Sequence, residues 1–104
     1  MTDKIYTLDE IREIVAPIAK EHNVDRVYLF GSYARQEATA DSDVDLCVDA
    51  PALHGLFALG GLYADLHDGL DKELDMITEN SLKWNRDEEF KMNLNKDRVL
   101  IYGD

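Results

Sequence analysis

The chain has little with which to staple itself, cross a bilayer or bind an anion. A single cysteine, Cys47, excludes an internal disulfide and fits a reducing compartment, so cytoplasmic residence is expected. Two prolines, Pro17 and Pro51, and no Gly/Ser-rich tract or internal repeat leave no candidate linker. No apolar run is long enough to span a membrane. The opening MTDKIYTLDE lacks the basic-then-apolar order of a secretory signal. Positive charge is the scarcest commodity: 11 Lys and Arg stand against 22 Asp and Glu, a formal net charge of -11. No basic cluster offsets it, so direct binding to nucleic acid is disfavoured. A cationic partner surface or a divalent metal is favoured.

What remains suffices for one domain, 1–104, with a modest core. The apolar share, 45%, is ordinary for a globular chain and excludes disorder. TLDEIREIVAPIAKEHN predicts a first helix, with Thr7 and Glu10 as a capping box and Leu8, Ile11, Ile14, Val15 and Ile18 at helical spacing. Pro17 should kink or locally open it. DRVYLF predicts a strand ending at Gly31, and YARQEA one or two helical turns. DVDLCVD alternates: Val44, Leu46 and Val48 face one way, Asp43, Asp45, Cys47 and Asp49 the other. PALHGLFALGGLYADLHDGL reads as a helix started by Pro51 and made uncertain by Gly60 and Gly61. KELDMIT alternates again, with Asp75 opposite in parity to Leu74 and Met76. SLKWNRDEEFKMNLNK predicts one polar helix, capped by Asn80, and RVLIY a last strand. The order α-β-(α)-β-α-β-α-β indicates an α/β (α+β) fold with a mixed sheet flanked by helices.

The chemistry concentrates in GSYARQEATADSDVDL, residues 31–46. Asp43 and Asp45, two apart on a strand, project side by side. Asp75 joins them if its strand is the neighbour in register. Three carboxylates on one face suit hard divalent cations. Gly31 and Ser32, between a strand and a helical turn, offer close backbone approach, a hydroxyl and amides for a phosphate, and Arg35 is within reach of the same group. Together these equip a protein for phosphoryl or nucleotidyl transfer. The competing readings are plainer: a solvated acidic turn at Asp41, Asp43 and Asp45; a turn role for Ser42; surface pairing of Arg35 with Glu37 or Asp41. A Ser32 nucleophile lacks a triad histidine. His54 and His67 are too scattered for zinc. Cys47 reads as a buried small side chain near the site, and Glu73 as an exposed strand end. Trp84, Phe90 and Leu94 read as helix packing or part of a partner face.

Gly31-Ser32, ten intervening residues, then Asp43-x-Asp45, with the fuller string GSYARxxxxxxSDVDL, ELDMI and RVLIY, resembles the DNA polymerase β-like nucleotidyltransferases. Nearly the whole chain is similar to the minimal nucleotidyltransferase (MNT) antitoxins of HEPN–MNT toxin–antitoxin pairs. The resemblance implies that Asp43, Asp45 and Asp75 ligate two Mg²⁺ ions, that Asp75 helps deprotonate the acceptor, and that Gly31, Ser32, Arg35 and Ser42 meet the nucleotide. It implies transfer of AMP from ATP to a tyrosine hydroxyl of a cognate HEPN RNase toxin. With no room for an acceptor domain in 104 residues, the acceptor is expected on a separate protein. Two alternatives stay open: an antitoxin that acts by binding alone, and an enzyme for a small molecule such as an aminoglycoside, built as an oligomer.

Overall fold

The structure is a computed structural model describing residues 2–104. Helix α1 (Leu8–Glu21) is followed by strand β1 (Arg26–Phe30), a single turn α2 (Gly31–Ala34) and strand β2 (Val44–Asp49). Then come α3 (Gly55–Leu70), β3 (Leu74–Thr78), α4 (Glu79–Lys83), α5 (Glu88–Asp97) and β4 (Val99–Tyr102). The strands form one mixed sheet in the order β3-β2-β1-β4. β1 is antiparallel to β2 and to β4, and β2 is parallel to β3, with α3 as the crossover between them.

The alternation in β2 sorts its side chains as the sequence suggests. Val44, Leu46 and Val48 are fully enclosed beneath α1 and α3, with Ile11, Val15, Ala19, Leu62, Leu66 and Leu70 completing that layer. α1 and α3 cross closely at Gly69, where a Cβ would meet Ile18 Cδ1 at 2.9 Å and Ile14 Cγ2 at 3.2 Å. The opposite side of the sheet has a smaller apolar cluster: Phe30, Cys47, Leu82 and Leu94, flanked by Tyr28, Ile77 and Phe90. Leu94 and Phe90 therefore pack as expected, whereas Trp84 stands 75% exposed and joins neither apolar cluster.

Five local expectations need correction. α1 runs through Pro17 without a break. Pro17 and the residue four before it, Glu13, both face solvent, so water can satisfy the carbonyl left without an amide. Pro51 sits in a turn closed by Leu53 N–H to the Ala50 carbonyl (3.0 Å), and α3 begins only at Gly55. Gly60 and Gly61 do not interrupt that helix. The polar helix after β3 is two helices: Asn85 Oδ1 accepts from Asp87 N–H (2.7 Å), and Asp87 then caps α5 by accepting from Phe90 N–H (3.0 Å). Such short polar side chains compete for backbone amides and favour a cap over a continuous helix. α4 is capped by Thr78, reciprocally with Ser81, and not by Asn80.

Candidate active site

The parallel pairing of β2 and β3 puts Asp45 directly across from Asp75. Both share the parity of Cys47 and Ile77, so both project on the side of α4 and α5 and away from the α1–α3 layer. Asp43 is exposed, one residue before β2 begins. On the other flank Asp45 pairs with Phe30 of β1, and Gly31 follows immediately. Gly31 has φ +72°, and a Cβ there would collide with Asp45 Oδ2. Only glycine both adopts that backbone and clears that carboxylate. The Gly-Ser turn and Asp45 are thus in contact.

Electrostatics mark the same place. Burial, then Asp75, then Asp43 push the Asp45 carboxyl up to about 6, opposed by Arg35. Unneutralised carboxylates crowd one another there, and the one guanidinium that helps is shared. Arg35 donates to Glu37 Oε2 and to Asp97 Oδ2, each at 3.1 Å, and does not pair with Asp41. Asp97, on the polar helix, gave no sign in the sequence of reaching Arg35. Ser42 is engaged locally: its Oγ accepts from Thr39 N–H (2.8 Å) and its amide donates to the Thr39 carbonyl (3.1 Å). Its hydroxyl serves the turn first. Cys47 is fully buried, donates to Glu79 Oε1 (3.6 Å), and has its thiol pushed up to about 12 by burial and the nearby carboxylate. That is an inert thiol. Glu73 is exposed at the start of β3.

Among the described residues no three His, Cys, Asp or Glu side chains close into a ready-made metal cage. The donor chemistry nevertheless fits a hard divalent ion: oxygen ligands only, negatively charged, with the middle one reluctant to ionise until a cation arrives. Clefts of about 410 and 470 Å³ lie elsewhere and contain none of the three aspartates. A smaller cleft, about 200 Å³, opens beside Gly31 and Arg35 and is walled by Phe30, Phe90 and Leu94.

Residues 12–104 match the family model for polymerase beta nucleotidyltransferases. The chain belongs to this family. A Methanocaldococcus jannaschii relative, provisionally named a protein adenylyltransferase, is 39% identical over 75 residues, spanning 72% of this chain and 81% of that protein. The protein adenylyltransferase MntA of Thermococcus cleftensis is 37% identical over 81 residues, 74% of this chain and 82% of MntA. A solved structure with the provisional name minimal nucleotidyltransferase superposes with a TM-score of 0.70 at 27% identity, covering 90% of this chain and 95% of that one. Two more distant likenesses are of fold. One is a toxin–antitoxin crystal structure with AMP-PNP (TM-score 0.70, 20% identity, 89% of this chain and 73% of that one). The other is a tri-AMPylated Shewanella oneidensis HEPN toxin in complex with its MNT antitoxin (TM-score 0.67, 18% identity, 94% and 74%). Among the described residues no helix is long and apolar enough to cross a membrane.

Proposed function

We propose that this nucleotidyltransferase moves AMP from ATP to a tyrosine hydroxyl of a cognate HEPN-type toxin and so silences it. One observation carries the reading: Asp45 and Asp75 stand in register on adjacent strands, with the Gly31 turn built against Asp45. The names of the curated relatives and the AMPylated toxin in a structural neighbour point to protein as acceptor.

In this mechanism Asp43, Asp45 and Asp75 would hold two Mg²⁺ ions, which would supply positive charge to the phosphates and to the attacking oxygen. Gly31 keeps the backbone low beside Asp45. Ser32 offers its hydroxyl, and the first amides of α2, which lack partners within the turn, face the triphosphate. Arg35 exchanges its carboxylate partners, exposed Glu37 and half-buried Asp97, for phosphate oxygen. Asp75, exposed at the outer edge of the sheet, takes the proton from the acceptor hydroxyl. The hydroxyl oxygen bonds to the α-phosphorus, the bond to the β-phosphate oxygen breaks, and pyrophosphate leaves. A surface of net charge -11 suits docking to a basic RNA-cleaving protein.

The test is intact mass spectrometry of the cognate toxin incubated with this protein, ATP and Mg²⁺. The toxin should gain mass in whole AMP units. Asp43→Ala should lower the rate by about 10²–10³ or more while circular dichroism stays unchanged. A toxin silenced without gain in mass, and silenced equally by Asp43→Ala, would make this a binding antitoxin on an enzyme fold. Transfer to an aminoglycoside with no partner protein present would make it a small-molecule enzyme.

A further inference from the structure

Lys72 is the buried polar residue of the described fold, only 3% exposed. It follows Asp71, whose left-handed backbone (φ 52°) ends α3 and turns the chain inward. The ammonium donates to the Ala40 carbonyl at 2.9 Å and to the Thr2 carbonyl at 3.2 Å. No ion pair among the described residues includes it. Enclosing an ammonium is costly, and a methionine of similar length would fill the same space without that cost. A lysine is warranted where its charge and its donors have work to do.

The groups it meets indicate that work. Ala40 belongs to the turn that delivers Asp43 to β2. That turn closes on itself through Ser42 N–H to the Thr39 carbonyl (3.1 Å), and Val44 N–H then donates to the Glu73 carbonyl (2.9 Å), the residue after Lys72. The turn is therefore fixed to the α3–β3 junction at two points, one a strand bond and the other the ammonium. Asp3, Asp41, Asp43 and Glu73 line a cleft of about 140 Å³ together with Lys72, so the buried positive charge sits inside an acidic rim. Nothing local in the sequence distinguishes this lysine from an exposed one; only the tertiary fold encloses it.

We propose that Lys72 is a positioning residue for Asp43. It draws the Thr39–Asp43 turn onto the α3–β3 junction and sets where Asp43 stands relative to Asp45 and Asp75. The proposal rests on the reading of those three aspartates as the metal site. It reaches that site through the backbone of the turn, and Lys72 itself touches no reacting atom.

Two measurements on the full chain test it, with Lys72→Met and with Lys72→Gln, which keeps a donor. The first is amide hydrogen exchange without metal. Ser42 and Val44 should exchange faster in Lys72→Met and less so in Lys72→Gln, with Val24, whose amide bonds the Ala19 carbonyl (2.9 Å), unchanged as the control. The second is titration with Mn²⁺ alone, where Lys72→Met should bind about 10-fold more weakly, as for the loss of an outer support to a metal ligand. Unchanged exchange at Ser42 and Val44 in both variants overturns the proposal. Faster exchange with unchanged Mn²⁺ affinity also overturns it, since Lys72 would then be a structural pin only. If the unaltered protein itself binds no Mn²⁺, the metal-site reading falls and this proposal with it; that result is distinct from strong binding that ignores the substitution.

Discussion

Leu46 and Asp45 are neighbours in β2 and live in different surroundings. Leu46 lies under α1 and α3, fully enclosed by aliphatic side chains. Asp45 lies on the other side of the sheet, where the cover from α4 and α5 gives out beside Phe30 and Gly31. The first face gains stability from everything it encloses. The second holds a carboxylate that burial and two like charges push up to about 6. The strand is thus stabilised at Leu46 and loaded at Asp45, and substitutions at these two residues should differ in sign.

The largest effect is expected on the enclosed side. Leu46→Ala removes packing in a layer with no room to relax, and should cost about 2–5 kcal/mol in urea or guanidinium unfolding. A loss below 1 kcal/mol, read on the same scale, would show that the α1–α3 layer is loosely packed. Next comes the seam between the two regions. Gly31→Ala forces a Cβ onto Asp45 Oδ2 at a positive φ, and should cost about 1–3 kcal/mol and reduce AMP transfer together. Loss of stability with full activity would detach the Gly-Ser turn from the site.

The smallest effect has the opposite sign. Because the folded Asp45 carboxyl is raised from 3.8 to about 6, its favourable contribution is complete below 3.8 and is lost as pH rises through 6. Asp45→Asn removes that loss. Without metal, the variant should be more stable than the parent by about 1 kcal/mol at pH 7.5, after allowance for solvent screening, and the gap should close toward pH 4. Chemical denaturation at both pH values checks it. A variant less stable at pH 7.5 would mean that Asp45 holds the fold as well as the site.

Much of this arrangement was written locally. The parity of DVDLCVD separates core from carboxylates without any knowledge of neighbours, and the Thr7–Glu10 cap and the strands follow from spacing alone. What depended on pairing was less legible. That Asp75 falls in register with Asp45 requires β3 to be parallel and adjacent to β2, a relation set by the α3 crossover. The kink expected at Pro17 is absent because its cost depends on which side of the helix faces water. The break before α5 was legible in principle, since Asn85 and Asp87 are capping residues, but the charged run around them resembles a continuous surface helix. Lys72 and Asp97 look like ordinary surface charges until the fold shows what each one touches.

The alternation of β2 also constrains how such a gene can change. A residue lost or gained between Val44 and Asp49 would rotate every later side chain to the wrong side, bringing Leu46 or Val48 out and a carboxylate in. The loop from Gln36 to Asp41 has no such alternation and is held instead by the Ala40 carbonyl on Lys72. A single-residue insertion or deletion within the strand therefore removes the folded protein along with its chemistry. It leaves no stable, inactive copy behind.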